Sequence, residues 1–178
     1  MDDTFNQLIK QAITERREHR LSDAHIIYSQ ALAHSRQHGT PNEVVKALKG
    51  LGQIERDLDN IEAARELYLE AVTLCRTEQP THQLAHAIRH LGDIYQDNQQ
   101  FELAEGCYQE ALALYRKETP TPALDMANTL RPFALLKEKI ADPTSAKELW
   151  QEALAFYTEV DVQAGMTECS SHLARLIN

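Results

Sequence analysis

Residues 86–115 read "HAIRHLGDIYQDNQQFELAEGCYQEALALY", and residues 46–75 read "KALKGLGQIERDLDNIEAARELYLEAVTLC", the same pattern displaced by 40 residues. An alanine, a large aromatic four residues later and a second alanine three beyond it fix the register. The four instances are Ala24/Tyr28/Ala31, Ala64/Tyr68/Ala71, Ala104/Tyr108/Ala111 and Ala146/Trp150/Ala153, spaced by 40, 40 and 42 residues. Twelve residues before each first alanine stands a small residue: Ala12, Gly52, Gly92 and Ala134. Four residues earlier again stands a branched aliphatic: Leu8, Leu48, Ile88 and Leu130. Near the end of the chain Leu173-Ala174 repeats Leu91-Gly92 and opens a fifth half-unit.

Apolar residues at i, i+3, i+4 and i+7 line one face of a helix. Small residues on that face let two helices approach closely, and an aromatic fills the space between neighbouring units. Each unit is therefore a pair of antiparallel helices too small to bury its apolar face alone, so units must stack. The spacing predicts nine helices, near 3–18, 21–37, 41–57, 60–77, 81–97, 101–117, 121–139, 143–158 and 161–177. Thr40-Pro41-Asn42-Glu43 reads as a capping box with proline at the first helical position. Asp59 with Glu62, Asp142-Pro143, and the run from Thr119 to Pro122 read as further helix starts.

Ile88-x2-Leu91-Gly92-x2-Tyr95 followed by Ala104-x3-Tyr108 resembles the tetratricopeptide repeat, whose signature is W-x2-L-G-x2-Y then A-x3-F. The resemblance covers almost the whole chain. It departs from the family where the first aromatic is aliphatic and where the Tyr95 position carries Glu15, Glu55 and Lys137. The proline expected late in the second helix is missing, Pro80 and Pro120 coming about one turn later. The long period is similar to the long-helix branch found in bacterial regulators and kinesin light chains. What the resemblance implies is an all-α, right-handed superhelical solenoid: four helix pairs at about 3–38, 41–78, 81–118 and 121–159, plus a capping helix at 161–177. The whole of 1–178 is expected to be one such domain, with a non-catalytic protein-binding role.

Composition agrees with a packed chain: 43% of the 178 residues are hydrophobic and 25% charged. A formal net charge of −9 opposes nucleic acid and anionic membrane as general partners. No apolar run is long enough to span a bilayer, and the acidic start lacks the layout of a signal peptide. Cys75, Cys107 and Cys169 are widely spaced within helical patterns, as expected of reduced thiols in a cytoplasmic protein.

In a stack of the family's type the first helix of each unit lines a concave groove. Numbering the small residue as position 8, positions 2, 5, 9 and 12 share one stripe. Position 2 holds Asn6, Lys46, His86 and Asn128; position 5 holds Ile9, Lys49, Arg89 and Arg131. Position 9 holds Ile13, Gln53, Asp93 and Leu135; position 12 holds Arg16, Arg56, Gln96 and Glu138. Three successive cations without an acid, in a chain this acidic, suggest docking of an acidic peptide or protein segment. The competing reading is ordinary solvated charge paired with neighbours such as Asp93. The family's dicarboxylate clamp does not carry over: its places hold Lys49, Gln53, His90, Asn128 and Pro132, and only the lysine matches. Pro132 should kink its helix, either aiming Asn128 and Arg131 or merely adjusting curvature.

His82, His86 and His90 recur at i, i+4 and i+8, as do His34 and His38 at i and i+4, but no C-x-x-C or H-E-x-x-H accompanies them. No phosphate loop, nucleophile elbow or carboxylate pair with a defined site is present either. Neither catalytic residues, nor a metal, nor a cofactor is therefore expected. A structural alternative stays open, in which the ends self-associate into a homodimer. It draws on apolar Ile9 and Ile13 at one end and Leu176 and Ile177 at the other. A regulatory small-ligand or peptide sensor is the third reading, on fold analogy alone.

Overall fold

The small residues and aromatics that set the register meet in space, and they build helix pairs. A computed structural model describes residues 3–78 and 81–176. Among those residues there are nine helices and no strand. In chain order they are α1 (Asp3–Arg17), α2 (Leu21–His38), α3 (Pro41–Asp57), α4 (Ile61–Glu78), α5 (Thr81–Asp97), α6 (Phe101–Tyr115), α7 (Ala123–Lys139), α8 (Pro143–Glu159) and α9 (Gln163–Leu176). Pro80 and Ile177 lie outside the described residues. Each helix begins and ends within about two residues of its expected place, and α7 runs on through Pro132.

The chain divides into two compact units, Met1–Ala87 and Ile88–Asn178. In unit 1, α1 packs on α2, α2 on α3 and α3 on α4. A β-carbon added to Gly52 would come within 2.9 Å of the Tyr68 ring, so only a hydrogen at that position lets α4 lie against α3. Gly50 is tighter still: a β-carbon there would meet the Tyr28 ring at 2.1 Å, where α2 packs against α3. In unit 2, α6 packs on α7, α7 on α8 and α8 on α9. A β-carbon at Gly92 would meet the Tyr108 ring at 2.7 Å, and that ring also lies 5.7 Å from Phe133 of α7. The aromatics thus fill space both within a pair and against the next helix. Trp150, Tyr68 and Tyr108 are all fully buried.

Five of the connections are the same object. His19, Asp59, Gln99, Ala141 and Asp161 have φ between 54° and 64°, the left-handed region, and none is glycine. Around each, two main-chain bonds close the helix end. The Asp59 N–H donates to the Arg56 carbonyl at 3.0 Å and the Asn60 N–H to the Glu55 carbonyl at 2.8 Å. This is the Schellman arrangement, which satisfies carbonyls that the last turn would otherwise leave open. It corrects the expectation that Asp59 caps α4: the turn consumes Asp59, and the Asn60 carbonyl accepts the first bond of α4, from the Ala64 N–H at 3.0 Å. The caps at Thr40 and Asp142 form as expected. Thr40 and Glu43 make a complete capping box, and the Asp142 carboxylate accepts the Ser145 N–H at 3.1 Å.

The same turns explain the departure at the Tyr95 position. A Schellman turn brings the residue three before the cap against the second residue after it, usually through an apolar contact. Here the contact is polar. Glu15 pairs with Arg20, Glu55 accepts from the Asn60 amide at 2.8 Å, and Lys137 lies 3.6 Å from Asp142. Two of these residues also reach the preceding helix pair: Glu55 bonds His25 of α2 at 2.8 Å, and Lys137 bonds Glu105 of α6 at 2.8 Å.

Candidate functional site

In unit 1 the helices enclose a cavity of about 720 Å³. Buried Phe5 and half-buried Asn6 of α1 reach it, with His38 of α2, Asn42, Lys46 and Lys49 of α3 and Gln83 from the first turn of α5. Residues four or seven apart on α3 share one side of the helix, which is how Asn42, Lys46 and Lys49 come to line one wall. Three of the candidate positions, Asn6, Lys46 and Lys49, are thus brought to a single concavity. The Gln83 amide donates to the Asn42 side-chain carbonyl at 3.2 Å, which ties the mouth of α5 to α3. Glu43 also lines the cavity, but its carboxylate is engaged by the Thr40 N–H at 2.8 Å and the Thr40 hydroxyl at 3.2 Å. A carboxylate at a helix N-terminus is largely compensated. Lys46 is exposed, and among the described residues no carboxylate pairs with it. Lys49 is half-buried, and its main-chain carbonyl accepts the Tyr68 hydroxyl at 3.2 Å.

The other candidates in unit 1 are placed differently. The Gln53 amide donates to Asp57 at 2.8 Å, and Asp57 also receives Arg16 at 2.6 Å. His86 is half-buried on α5. Ile9 does not form an apolar groove end: it is 3% exposed and belongs to the core, whereas Ile13, 36% exposed, remains at the surface. Position 5 lies at the margin of the core, where Lys49 is half-buried. An isoleucine at the same margin has no polar end to solvate and turns fully inward.

In unit 2 the candidate residues form a bonded network. Arg89 Nη1 donates to Asp93 Oδ2 at 3.3 Å, and Arg89 Nη2 lies 2.6 Å from His90 Nε2. The imidazole Nε2 therefore accepts, which leaves Nδ1 to face Asp93 Oδ2 at 3.4 Å. The Tyr108 hydroxyl, directed at both Asp93 Oδ1 (3.0 Å) and Gln96 Oε1 (3.1 Å), completes the set. His90 and Asp93 are each 7% exposed, so they act beneath the surface and hold Arg89 rather than face a partner. On α7 the Asn128 carbonyl oxygen accepts the Tyr157 hydroxyl at 2.9 Å, and Arg131 Nε donates to Glu168 Oε2 of α9 at 2.7 Å. That bond raises the Arg131 pKa, while burial pushes the Tyr157 phenol up. Asp93 is the neighbour that the competing reading named, and Glu168 is the partner that the count of cations left out.

On α9, Thr167 and Ser170 stand where α5 carries Ala85 and Ile88 in the same register. Thr167, Ser170 and Ser171 are exposed, and each hydroxyl donates to a carbonyl one turn back at 2.8–2.9 Å. Leu176 is half-buried. Such a face suits contact with water. Among the described residues no helix is long and apolar enough to cross a membrane, and no group of three His, Cys, Asp or Glu side chains could hold a metal ion.

A tetratricopeptide repeat family model matches residues 43–117 and 83–159. No curated protein sequence matches the chain significantly. Solved structures share the fold. BtubC (BKLC) from P. vanneervenii superposes with a TM-score of 0.84 at 19% identity, over 96% of this chain and 70% of that one. A candidate kinesin light chain of Podosopora anserina with nearly identical TPR-like repeats gives 0.74 at 15% identity, over 99% and 87%. Aspartyl phosphate phosphatase F from Bacillus subtilis gives 0.84 at 13% identity, over 96% of this chain but 45% of that protein.

Proposed function

The chain belongs to the tetratricopeptide repeat family, whose repeats mediate protein–protein interaction, and we propose that it is a non-catalytic docking module for an acidic peptide or protein segment. The observation that carries this reading is the cavity of unit 1, where two lysines stand beside side-chain amides and the one carboxylate present is held by its own helix cap. Lysine ammonium groups attract carboxylates over about a Debye length, roughly 10 Å at 0.1 M salt. The amides of Asn6 and Gln83 carry donors suited to peptide carbonyls. Buried Phe5 gives the cavity an apolar floor against which one large side chain of the segment can rest. Arg131 of unit 2 offers a second point for an acid.

The test is a fluorescein-labelled peptide of alternating Glu and Asp carrying a single Leu, measured by anisotropy at low and high salt. An analogue with Gln and Asn replacing the acids is the control. We expect the acidic peptide alone to bind, more weakly as salt rises. Each exposed ion pair contributes about 0.2–1 kcal/mol, and reversal replaces attraction by repulsion. The double variant Lys46→Glu/Lys49→Glu should therefore bind about tenfold more weakly or worse. Equal binding of both peptides, or undiminished binding by the double variant, would remove the cavity from consideration.

A further inference from the structure

We propose that Glu168 of α9 is a built-in stand-in for the ligand's carboxylate at Arg131, so that unit 2 holds a second acid-docking point which its own terminal helix partly occupies. This rests on the acidic-segment reading above and adds to it where unit 2 would grip and what limits the grip.

The argument begins from how many donors each arginine has left. A guanidinium has five N–H groups in a fixed fork. Arg89 spends Nη1 on Asp93 and Nη2 on His90, and its side chain is only 17% exposed. Arg131 spends Nε alone, on Glu168 Oε2 at 2.7 Å. Among the described residues neither of its Nη groups has a partner, and the side chain is 44% exposed. Arg131 is thus the more exposed arginine of this pair and the one with both Nη groups unspent. Asn128, one turn earlier on α7, uses its carbonyl oxygen for the Tyr157 hydroxyl, which leaves the amide N–H groups available on the same side of the helix. A guanidinium edge with an amide donor three residues away is the donor set that binds a carboxylate together with a neighbouring peptide carbonyl.

Glu168 already demonstrates that a carboxylate fits there. Its side chain is 32% exposed, so it can swing into water without moving α9. The helix itself stays pinned by the stack of His172 on Trp150, with centroids 4.2 Å apart, and by the bond from His172 to Glu138 at 2.7 Å. An incoming acid must share the guanidinium with Glu168 or displace it, and it meets the repulsion of a like charge while doing so. Because Glu168 is tethered to the same fold, it competes at a high effective concentration.

Three variants test this with the same labelled acidic peptide and its neutral analogue: Glu168→Gln, Arg131→Gln and the double. Thermal melts confirm that each is folded, and an exposed pair of this kind contributes little to stability. Removing the competing charge should tighten acidic-peptide binding about fivefold, the equivalent of an exposed ion pair of about 1 kcal/mol. The gain should vanish in the double variant and persist in a Lys46→Glu/Lys49→Glu background. Wild-type binding that does not tighten in Glu168→Gln, or a gain that survives loss of Arg131, overturns the inference and leaves the docking function standing. Failure of every form to prefer the acidic peptide overturns the docking function and the inference with it.

Discussion

In unit 1 Lys46 stands over an open cavity with no carboxylate against it among the described residues, whereas in unit 2 Arg89 lies against Asp93 and His90, and Arg131 against Glu168. Sequence position makes Lys49, Arg89 and Arg131 equivalent members of one cationic series, with Lys46 on the same stripe three residues before Lys49. Physically they are not. Arg89, largely covered and bonded, belongs to the architecture, and losing its partner costs stability; exposed Lys46 contributes almost nothing to stability and keeps its charge in water. What separates the two is the acid supplied by a different helix turn, and a count of charges cannot register it.

The sharpest way to break that contrast is to remove one partner in each unit. Asp93→Ala should destabilise by about 3 kcal/mol, because it takes the carboxylate away from the Arg89 charge and removes one of the two acceptors of the Tyr108 hydroxyl. Lys46→Ala should change stability by no more than about 0.5 kcal/mol. Urea unfolding of the two variants measures both, and comparable losses would mean that the cations of the two units are alike after all.

The next effect sets two glycines of unit 2 against one another. Gly92 faces Tyr108, while a β-carbon on Gly106 would have no atom within 4 Å. Gly92→Leu should cost about 1–3 kcal/mol by overpacking. Gly106→Ala should instead stabilise α6 by up to about 1 kcal/mol, since glycine is a poor helix former. Melting midpoints decide the signs, and an unchanged Gly92→Leu would remove the close contact from the account.

The smallest expected effect is alkaline. Burial pushes the Cys169 thiol up to about 11 from an ordinary value of 9.0 and moves the Cys75 thiol of unit 1 in the same direction. A group whose pKa is raised in the folded state contributes stability that is full below its unfolded value and lost as pH rises through the folded one. The melting midpoint should accordingly fall between about pH 9 and 11, and Cys169→Ala should flatten part of that slope. Neither thiol should react with a soluble disulfide reagent at neutral pH while the chain is folded.

The helix pairs were legible because their signal is geometric: a small residue, an aromatic and a fixed spacing constrain one another whatever surrounds them. Thr40 and Asp142 were legible for the same reason, since a cap is a local bond between residues three apart. Asp59 was misread because aspartate serves both as a cap and as a left-handed turn residue, and only the bonds of the preceding helix end distinguish the roles. Ile9 was assigned to a groove end by its position, but whether a side chain at the margin turns inward depends on its own polarity. Asp93 was placed correctly as a neighbour of Arg89, yet its burial depends on Tyr108, fifteen residues away on another helix. The cavity of unit 1 gathers residues from four helices, and no stretch of sequence announces that.

The two polar contacts at the helix turns carry a consequence for assembly during folding. Near-identical repeats invite error, because a helix can dock in the place of its twin and still bury a similar apolar face. Glu55 reaches back to His25, and Lys137 reaches back to Glu105. In the first pair the acid lies on the later helix, and in the second on the earlier one. A chain that set α3 where α7 belongs would bring Glu55 against Glu105, and the reverse exchange would bring Lys137 against His25. Each docking event is thus addressed by which helix carries the acid, so that repeats alike in their cores remain distinct in the order of their neighbours.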